Sequence, residues 1–274
     1  MHPVSIPVTD FHTHAFPDTI VDHAMEHLSE VDGMNAYHDG TLAGLQNSMA
    51  RCGIGRAVLC TIATKPDHFE NIFAWCCEVC SDSIVPLPSV HPADPFFQEH
   101  LELIAEQGFV GTKIHPYYQD FTLDDPAYRS FFAVLERLGL LVVSHTGFDA
   151  AFPDWQRIAD PRRILRLLER HPDLRLITTH LGAWEDWDEV VRHLIGKDIW
   201  IEISFAFGRI PDARIKRLLE AHPEEYLLFG TDSPWTDQGK ALESLRALGL
   251  EQKLEEAILC TNAQRLLSEK GSAI

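Results

Sequence analysis

G-L-L-V-V-S-H-T-G at residues 139–147, P-R-R-I-L-R-L-L-E-R at 161–170 and L-R-L-I-T-T-H-L-G at 174–182 decide the fold. A β-rich apolar run stops at a histidine, an amphipathic helical segment follows, and a second apolar run stops at another histidine. Strand, helix, strand implies parallel pairing through a crossover. The same beat runs along the chain. Earlier strand-like runs lie at 6–11, 56–62, 84–90 and 109–114, and later ones at 198–204 and 226–231, which makes eight with 139–144 and 174–179. Between them A-Y-R-S-F-F-A-V-L-E-R-L at 127–138, after the turn signal D-D-P, and W-D-E-V-V-R-H-L-I at 187–195 carry the helical period.

Eight such units close into a (β/α)8 TIM barrel, an α/β fold expected here as a single domain over residues 1–274. An open doubly wound sheet would show a glycine-rich phosphate loop after its first strand. The first strand instead runs into D-F-H-T-H at 10–14. The longest connection, 15–50, is expected as a flap over the barrel mouth, and C-terminal helices at 237–248, 251–259 and 262–269 are expected to complete and cap the barrel.

Composition narrows the function. The chain has 274 residues and a formal net charge of −18, which repels nucleic-acid phosphates. No run approaches the ~20 apolar residues of a membrane span. The first residues, M-H-P-V-S-I-P-V-T-D, lack the basic end and apolar stretch of a signal peptide. Six cysteines are too few for a disulfide scaffold of this length, so reduced thiols and a cytoplasmic location are the expectation. Three of them fall in the helical-looking F-E-N-I-F-A-W-C-C-E-V-C at 69–80, where positions 73, 76, 77 and 80 are expected on one face, the cysteines among them as small buried apolar residues.

Catalysis in such barrels sits where strands end. Those ends carry Asp10, His12 and His14, then His91, then Lys113 and His115, then His145, His180, Glu202 with Ser204, and Asp232. With 15 histidines in the chain, about 0.8 H-x-H triplets arise by chance, so the weight rests on placement at strand ends. Side chains alternate across a strand, which turns His12 and His14 toward the axis, with Asp10 one layer deeper. Imidazoles with a carboxylate suit Zn²⁺, with Mn²⁺ or Fe²⁺ as alternatives. A divalent ion lowers the pKa of its water to about 7. Asp232 could touch the ion and take that water's proton, and a nearby histidine could protonate a leaving group. His171 and His222, each before a proline between helix and strand, belong to the opposite, structural face.

D-F-H-T-H, G-F-V-G-T-K-I-H-P-Y-Y-Q at 108–119, V-V-S-H-T-G, I-T-T-H-L-G-A-W, L-L-F-G-T-D-S-P-W-T-D-Q at 227–238 and T-N-A-Q-R-L-L at 261–267 resemble, in order and placement, the amidohydrolase superfamily. The similarity is to its branch of TIM-barrel metal-dependent hydrolases called amidohydrolase-related proteins, and it covers nearly the whole chain. It implies that His12 and His14 bind metal, that His145 and His180 are the ligands from strands five and six, and that Asp232 is the strand-eight acid and general base. Members hold one ion or two, the second bridged through a carboxylated lysine. Lys113 is the lysine for that role; uncarboxylated, it would orient substrate or pair with Glu202.

His115, His91, Tyr117, Trp235 and Arg209 are the candidates for substrate contact, Arg209 as a carboxylate clamp. The expected activity is hydrolysis of a small amide, cyclic amide, lactone or ester. The alternative is a metal-dependent decarboxylase, a C–C lyase acting on an aromatic or unsaturated acid. A TatD-like nuclease is disfavoured by charge and by lysine on strand four, and a binding barrel without activity by the intact ligand set. The expected partners are a small-molecule substrate and a second copy of the chain, as in dimeric relatives.

Overall fold

Eight parallel strands alternate with helices in the computed structural model, which describes residues 7–32, 35–152, 154 and 156–268. The strands are β1 (Val8–Thr13), β2 (Ile54–Cys60), β3 (Ile84–Leu87), β4 (Gly111–Ile114), β5 (Leu141–Ser144), β6 (Arg175–Thr178), β7 (Trp200–Glu202) and β8 (Leu227–Leu228). The helices are α1 (Val21–Asp32), α2 (Leu42–Cys52), α3 (Phe69–Val79), α4 (Phe97–Glu106), α5 (Arg129–Leu138), α6 (Pro161–Arg170), α7 (Trp187–His193) and α8 (Asp212–Ala221). After the last strand come α9 (Gln238–Ala247), α10 (Gln252–Glu256), a π-helical stretch at Ala257–Thr261, and α11 (Asn262–Ser268). No helix among the described residues is long and apolar enough to cross a membrane.

Continuous ladders join β1 to β3 and β4 to β8. Two seams turn these arcs into one barrel. Between β8 and β1, Phe11 N–H donates to Phe229 O (2.8 Å), Asp232 N–H to His12 O (2.7 Å) and His14 N–H to Ser233 O (2.6 Å). Between β3 and β4, Pro86 and Pro88 offer no N–H. Hydroxyls fill in there: Thr112 Oγ1 donates to Pro88 O (2.7 Å) and Ser89 Oγ to Lys113 O (2.8 Å).

Apolar side chains fill two layers. Leu45, Leu59, Ile104, Leu135, Ile164 and Ile215 belong to the large cluster that packs strands against the helical ring. Phe11, Val58, Leu87, Val143, Ile177 and Leu228 form a separate cluster inside the barrel, sealed by Ala263 and Leu266 of α11. The register Lys113↔Val143↔Ile177 aims all three side chains inward.

Several strands are shorter than the runs that announce them. The last run covers 226–231, yet β8 holds Leu227–Leu228 only, because Phe229 N–H turns to Ile258 O in the π-helical stretch (3.0 Å). β1 is displaced toward the histidines, reaching Thr13 rather than stopping at 11. Of the connection 15–50, residues 21–32 form α1 and residues from Leu42 onward belong to α2; residues 33–34 lie outside the described residues. Residues 1–6 and 269–274 of the expected single domain also lie outside them. Of the three cysteines only Cys76 is buried, while Cys77 on α3 and Cys80 just after it are exposed. The core face of this helix runs through Phe69 and Cys76, so the four positions expected together do not share a face.

Candidate metal centre

β1 does not keep strict alternation where it matters. Asp10 pairs with Ala57 and Thr13 with Leu59, so three steps on β1 oppose two on β2. That extra residue is a β-bulge. Asp10 therefore falls on the outer face with Ala57, while Phe11 and His12 both turn into the barrel. This corrects the expectation that Asp10 lies one layer below the histidines. Its carboxylate instead accepts from Thr231 N–H (3.0 Å), Thr231 Oγ1 (2.6 Å) and Gln238 Nε2 (2.8 Å), tying β1 to α9 and to the loop after β8.

His12, His14 and Asp232 meet at the mouth. His12 Nε2 and His14 Nε2 are 3.2 Å apart, and Asp232 Oδ1 lies 3.2 Å and 2.9 Å from them. Two ligand atoms about 2.1 Å from one ion, at coordination angles between octahedral and tetrahedral, are about 3.0–3.4 Å apart. The triangle has the dimensions of one face of a coordination shell. Asp232 reaches it from a left-handed backbone conformation (φ 63°), which Asp tolerates better than most residues. Burial pushes its carboxyl upward, but His12 and His14 outweigh that and hold it well below the usual carboxylate range.

Glu202 sets the tautomers. It is fully buried at the end of β7. His12 Nδ1–H donates to its Oε1 (3.2 Å), as do His180 N–H (2.8 Å) and Ser204 Oγ (2.6 Å). His12 Nε2 is thereby left as a lone pair facing the triangle. Because the Ser204 proton goes to Glu202, Ser204 Oγ accepts from His180 Nδ1–H (2.8 Å). His145 Nε2–H donates to Phe148 O (2.8 Å). His145 Nδ1 and His180 Nε2 are then two lone pairs only 3.0 Å apart. Burial lowers the pKa of His12, His145 and His180 alike, so a proton is a poor bridge between them. Facing lone pairs in a buried, neutral imidazole set fit a cation.

Gly230 makes room for this arrangement. A Cβ there would lie 1.8 Å from Glu202 Oε2 and 3.2 Å from His12 Cβ. Lys113 is fully buried, with Nζ 3.1 Å from His12 Nε2 at the edge of the donor triangle.

The five principal candidates thus converge on one mouth but form two adjoining groups. His12, His14 and Asp232 are one; His145 and His180 are the other, linked to the first through Ser204 and Glu202. Of the substrate candidates, His115 and Trp235 line the cavity above them. His115 stacks on His145 (ring centroids 4.1 Å apart) and its Nε2 lies 3.3 Å from Asp149 Oδ2. The other three are not among the lining residues. Tyr117 donates its hydroxyl to Gly147 O and Gln156 O, and its neighbour Tyr118 takes the cavity position. His91 Nδ1 accepts Ala93 N–H (3.0 Å) and closes a turn. Arg209 is exposed, its guanidinium 5.8 Å from the Trp184 ring and 6.0 Å from the Phe205 ring.

Asp149 carries no sequence signal, because its loop position says nothing of where it points. Glu202 does carry one, an acid inside the apolar run W-I-E-I-S, but its role in orienting two histidines is visible only in three dimensions. His171 and His222 behave as structural groups, held by Glu136 Oε2 (3.0 Å) and Ile199 O (2.8 Å).

Residues 9–268 match a protein-family model described as amidohydrolase. No curated protein matches the chain. Similar solved structures include an uncharacterized TIM-barrel protein from Bordetella bronchiseptica, 19% identical, covering 96% of this chain and 99% of that one with a TM-score of 0.76. Another is 2,6-dihydroxybenzoate decarboxylase from Rhizobium, at 16% identity, 97% and 100% coverage and a TM-score of 0.69. A third is 5-carboxyvanillate decarboxylase from Novosphingobium aromaticivorans, complexed with manganese, at 15% identity, 96% coverage of each chain and a TM-score of 0.70. Likeness at these identities establishes the barrel.

Proposed function

The chain belongs to the amidohydrolase family, and from that premise we propose that it is a metal-dependent hydrolase of a small amide, cyclic amide, lactone or ester. The observation that carries this is the His12–His14–Asp232 triangle, with donor separations of 2.9–3.2 Å at a cavity wall. His12, His14 and Asp232 would hold one divalent ion, with His145 and His180 beside it. Zn²⁺ suits the donors, and the manganese in a similar structure supports Mn²⁺ equally. When bound, the ion supplies Lewis acidity, acidifying water and polarising a carbonyl.

The chain's own groups handle the protons. Asp232, at the donor triangle, accepts a proton from the attacking water and returns it to the leaving nitrogen or oxygen. Glu202 keeps His12 and, through Ser204, His180 in fixed tautomers. Trp235 and Tyr118 wall the substrate, and His115 with Asp149 offers it a polar edge. The distance from Lys113 Nζ to His12 Nε2 supports either of two roles, a cation for a substrate oxygen or, carboxylated, an added ligand.

Decarboxylation is the second reading, favoured by the decarboxylases among the similar structures. A substrate carboxylate would lie toward the ion and Lys113, the C–C bond would break to release carbon dioxide, and the electron pair left on carbon would take a proton that Asp232 relays from water.

One set of assays on protein loaded with Zn²⁺ or Mn²⁺ separates these. Hydrolysis releases an acid and an amine or alcohol with no carbon dioxide; decarboxylation of hydroxybenzoates releases carbon dioxide. If metal analysis of carefully isolated protein finds no divalent ion, and none restores either activity, both readings fall. Lys113→Ala lowers the metal content from two ions to one if the lysine is a ligand, and leaves it at one otherwise. We infer a homodimer in solution, which sedimentation tests directly.

A further inference from the structure

The cavity above the donor triangle is about 1010 Å³, the top of the range that encloses a drug-sized ligand. The triangle occupies only its inner end. The outer walls are largely apolar and come from two segments: Phe16 and Ile20 with Ala24 of α1, and Ile72 with Trp75 of α3. Asn71, Ala74, Trp75 and Glu78 also line it at helical spacing, so one whole face of α3 fronts the cavity. Ile20 is half exposed there (50%), and covering such a side chain releases apolar surface from water. Charge is one-sided. Lys113 is the only lysine or arginine among the described lining residues, and its Nζ is engaged at the inner end; the charge that α3 adds is Glu78.

We propose that the substrate carries an uncharged aryl or alkyl extension beyond its reacting carbonyl or carboxyl group, seated between the 16–24 segment and the Ile72–Trp75 face of α3. This deepens the metal-centre reading and rests on it. A ligand no larger than the reacting group would leave the apolar walls in contact with water. An extension ending in a carboxylate between these two walls would find no lysine or arginine among the described lining residues and would meet Glu78. The extended apolar ligand satisfies both walls.

Hydroxamic acids test this, because their head chelates a divalent ion whatever the reaction. Dissociation constants are measured by calorimetry on Mn²⁺-loaded protein for acetohydroxamic, octanohydroxamic and 2-naphthohydroxamic acids and for suberic acid monohydroxamate. Each buried methylene is worth about 4-fold, so the long apolar ligands should bind at least ~10-fold more tightly than acetohydroxamate. The carboxylate-ended chain should lose at least ~10-fold against the octanoyl chain. Trp75→Ala, and independently Ile20→Ser in the other wall, should remove most of the gain while leaving acetohydroxamate within about twofold. Equal affinities across the series, or a preference for the carboxylate end, overturn the inference and leave the metal centre standing. Failure of acetohydroxamate itself to bind overturns the metal-centre reading and this one with it. If Trp75→Ala dissolves a dimer and leaves the series unchanged, a second copy covers α3 and the inference is wrong.

Discussion

Glu202 is absent from the cavity wall, yet it accepts from His12 Nδ1, His180 N–H and Ser204 Oγ. A carboxylate behind a ligating histidine raises the basicity of that ligand and fixes its ring. Glu202→Gln keeps the size but replaces one acceptor oxygen with a donor, so we expect metal affinity to drop about 10–100-fold, measured by competition with a chromophoric chelator. Asp232→Asn removes the proton acceptor while keeping an oxygen near the histidines. Its kcat should fall about 10²–10⁴-fold, with an unchanged circular-dichroism spectrum. A fully active Asn variant would show that Asp232 is not the base.

Elements position these residues through irregularities in their regular parts. The extra residue in β1 puts Phe11 and His12 inside together and sends Asp10 outward to Gln238 of α9. His180 and Leu181, both at positive φ (59° and 55°), turn the chain off β6 so that both backbone N–H groups reach Glu202. Away from the site, the loop before α5 is clamped to α6: Asp124 pairs with Arg163 and Arg166, and its carbonyl accepts from Arg170. Burial pushes the Asp124 carboxyl up, but the two guanidinium groups win and hold it below its ordinary value. A carboxyl lowered on folding stabilises the protein above its unfolded pKa, about 3.9, and that stability is lost as pH falls through the folded value. The guanidinium groups are partly exposed, at 30% and 43%, which limits the effect. We expect Asp124→Asn to cost about 1–2 kcal/mol at pH 7 and to flatten the loss of thermal stability below about pH 4. Melting curves from pH 2.5 to 7 check this.

At the scale of the whole molecule, the ion would bind only where the barrel is closed, since His12 of β1, His14 just after it and Asp232 after β8 meet across the β8–β1 seam. Binding to the folded state alone stabilises by about 2.7 kcal/mol at a hundredfold excess over Kd. Stripping the ion with a chelator should therefore lower Tm by about 5 °C or more, and Zn²⁺ or Mn²⁺ should restore it. The His12→Ala variant should show no such shift.

The eight-beat alternation, the parallel barrel and the histidines at strand ends were legible in the chain itself. They follow from local periodicity and from the rule that strand ends gather at one mouth, and neither depends on distant partners. The facing of Asp10 was not legible, because a bulge shifts alternation without changing the residues in the run. Tyr117 and Tyr118 were indistinguishable for the same reason: in a loop, adjacent residues differ only in where the fold turns them. The pairing of His145 with His180 and the hold of Glu202 on His12 join residues 35 and 190 positions apart, and the arrival of α3 at the cavity wall is likewise non-local. Such contacts arise only when strands and helices pack, since packing decides which side chains share one buried space and therefore which nitrogens face one another.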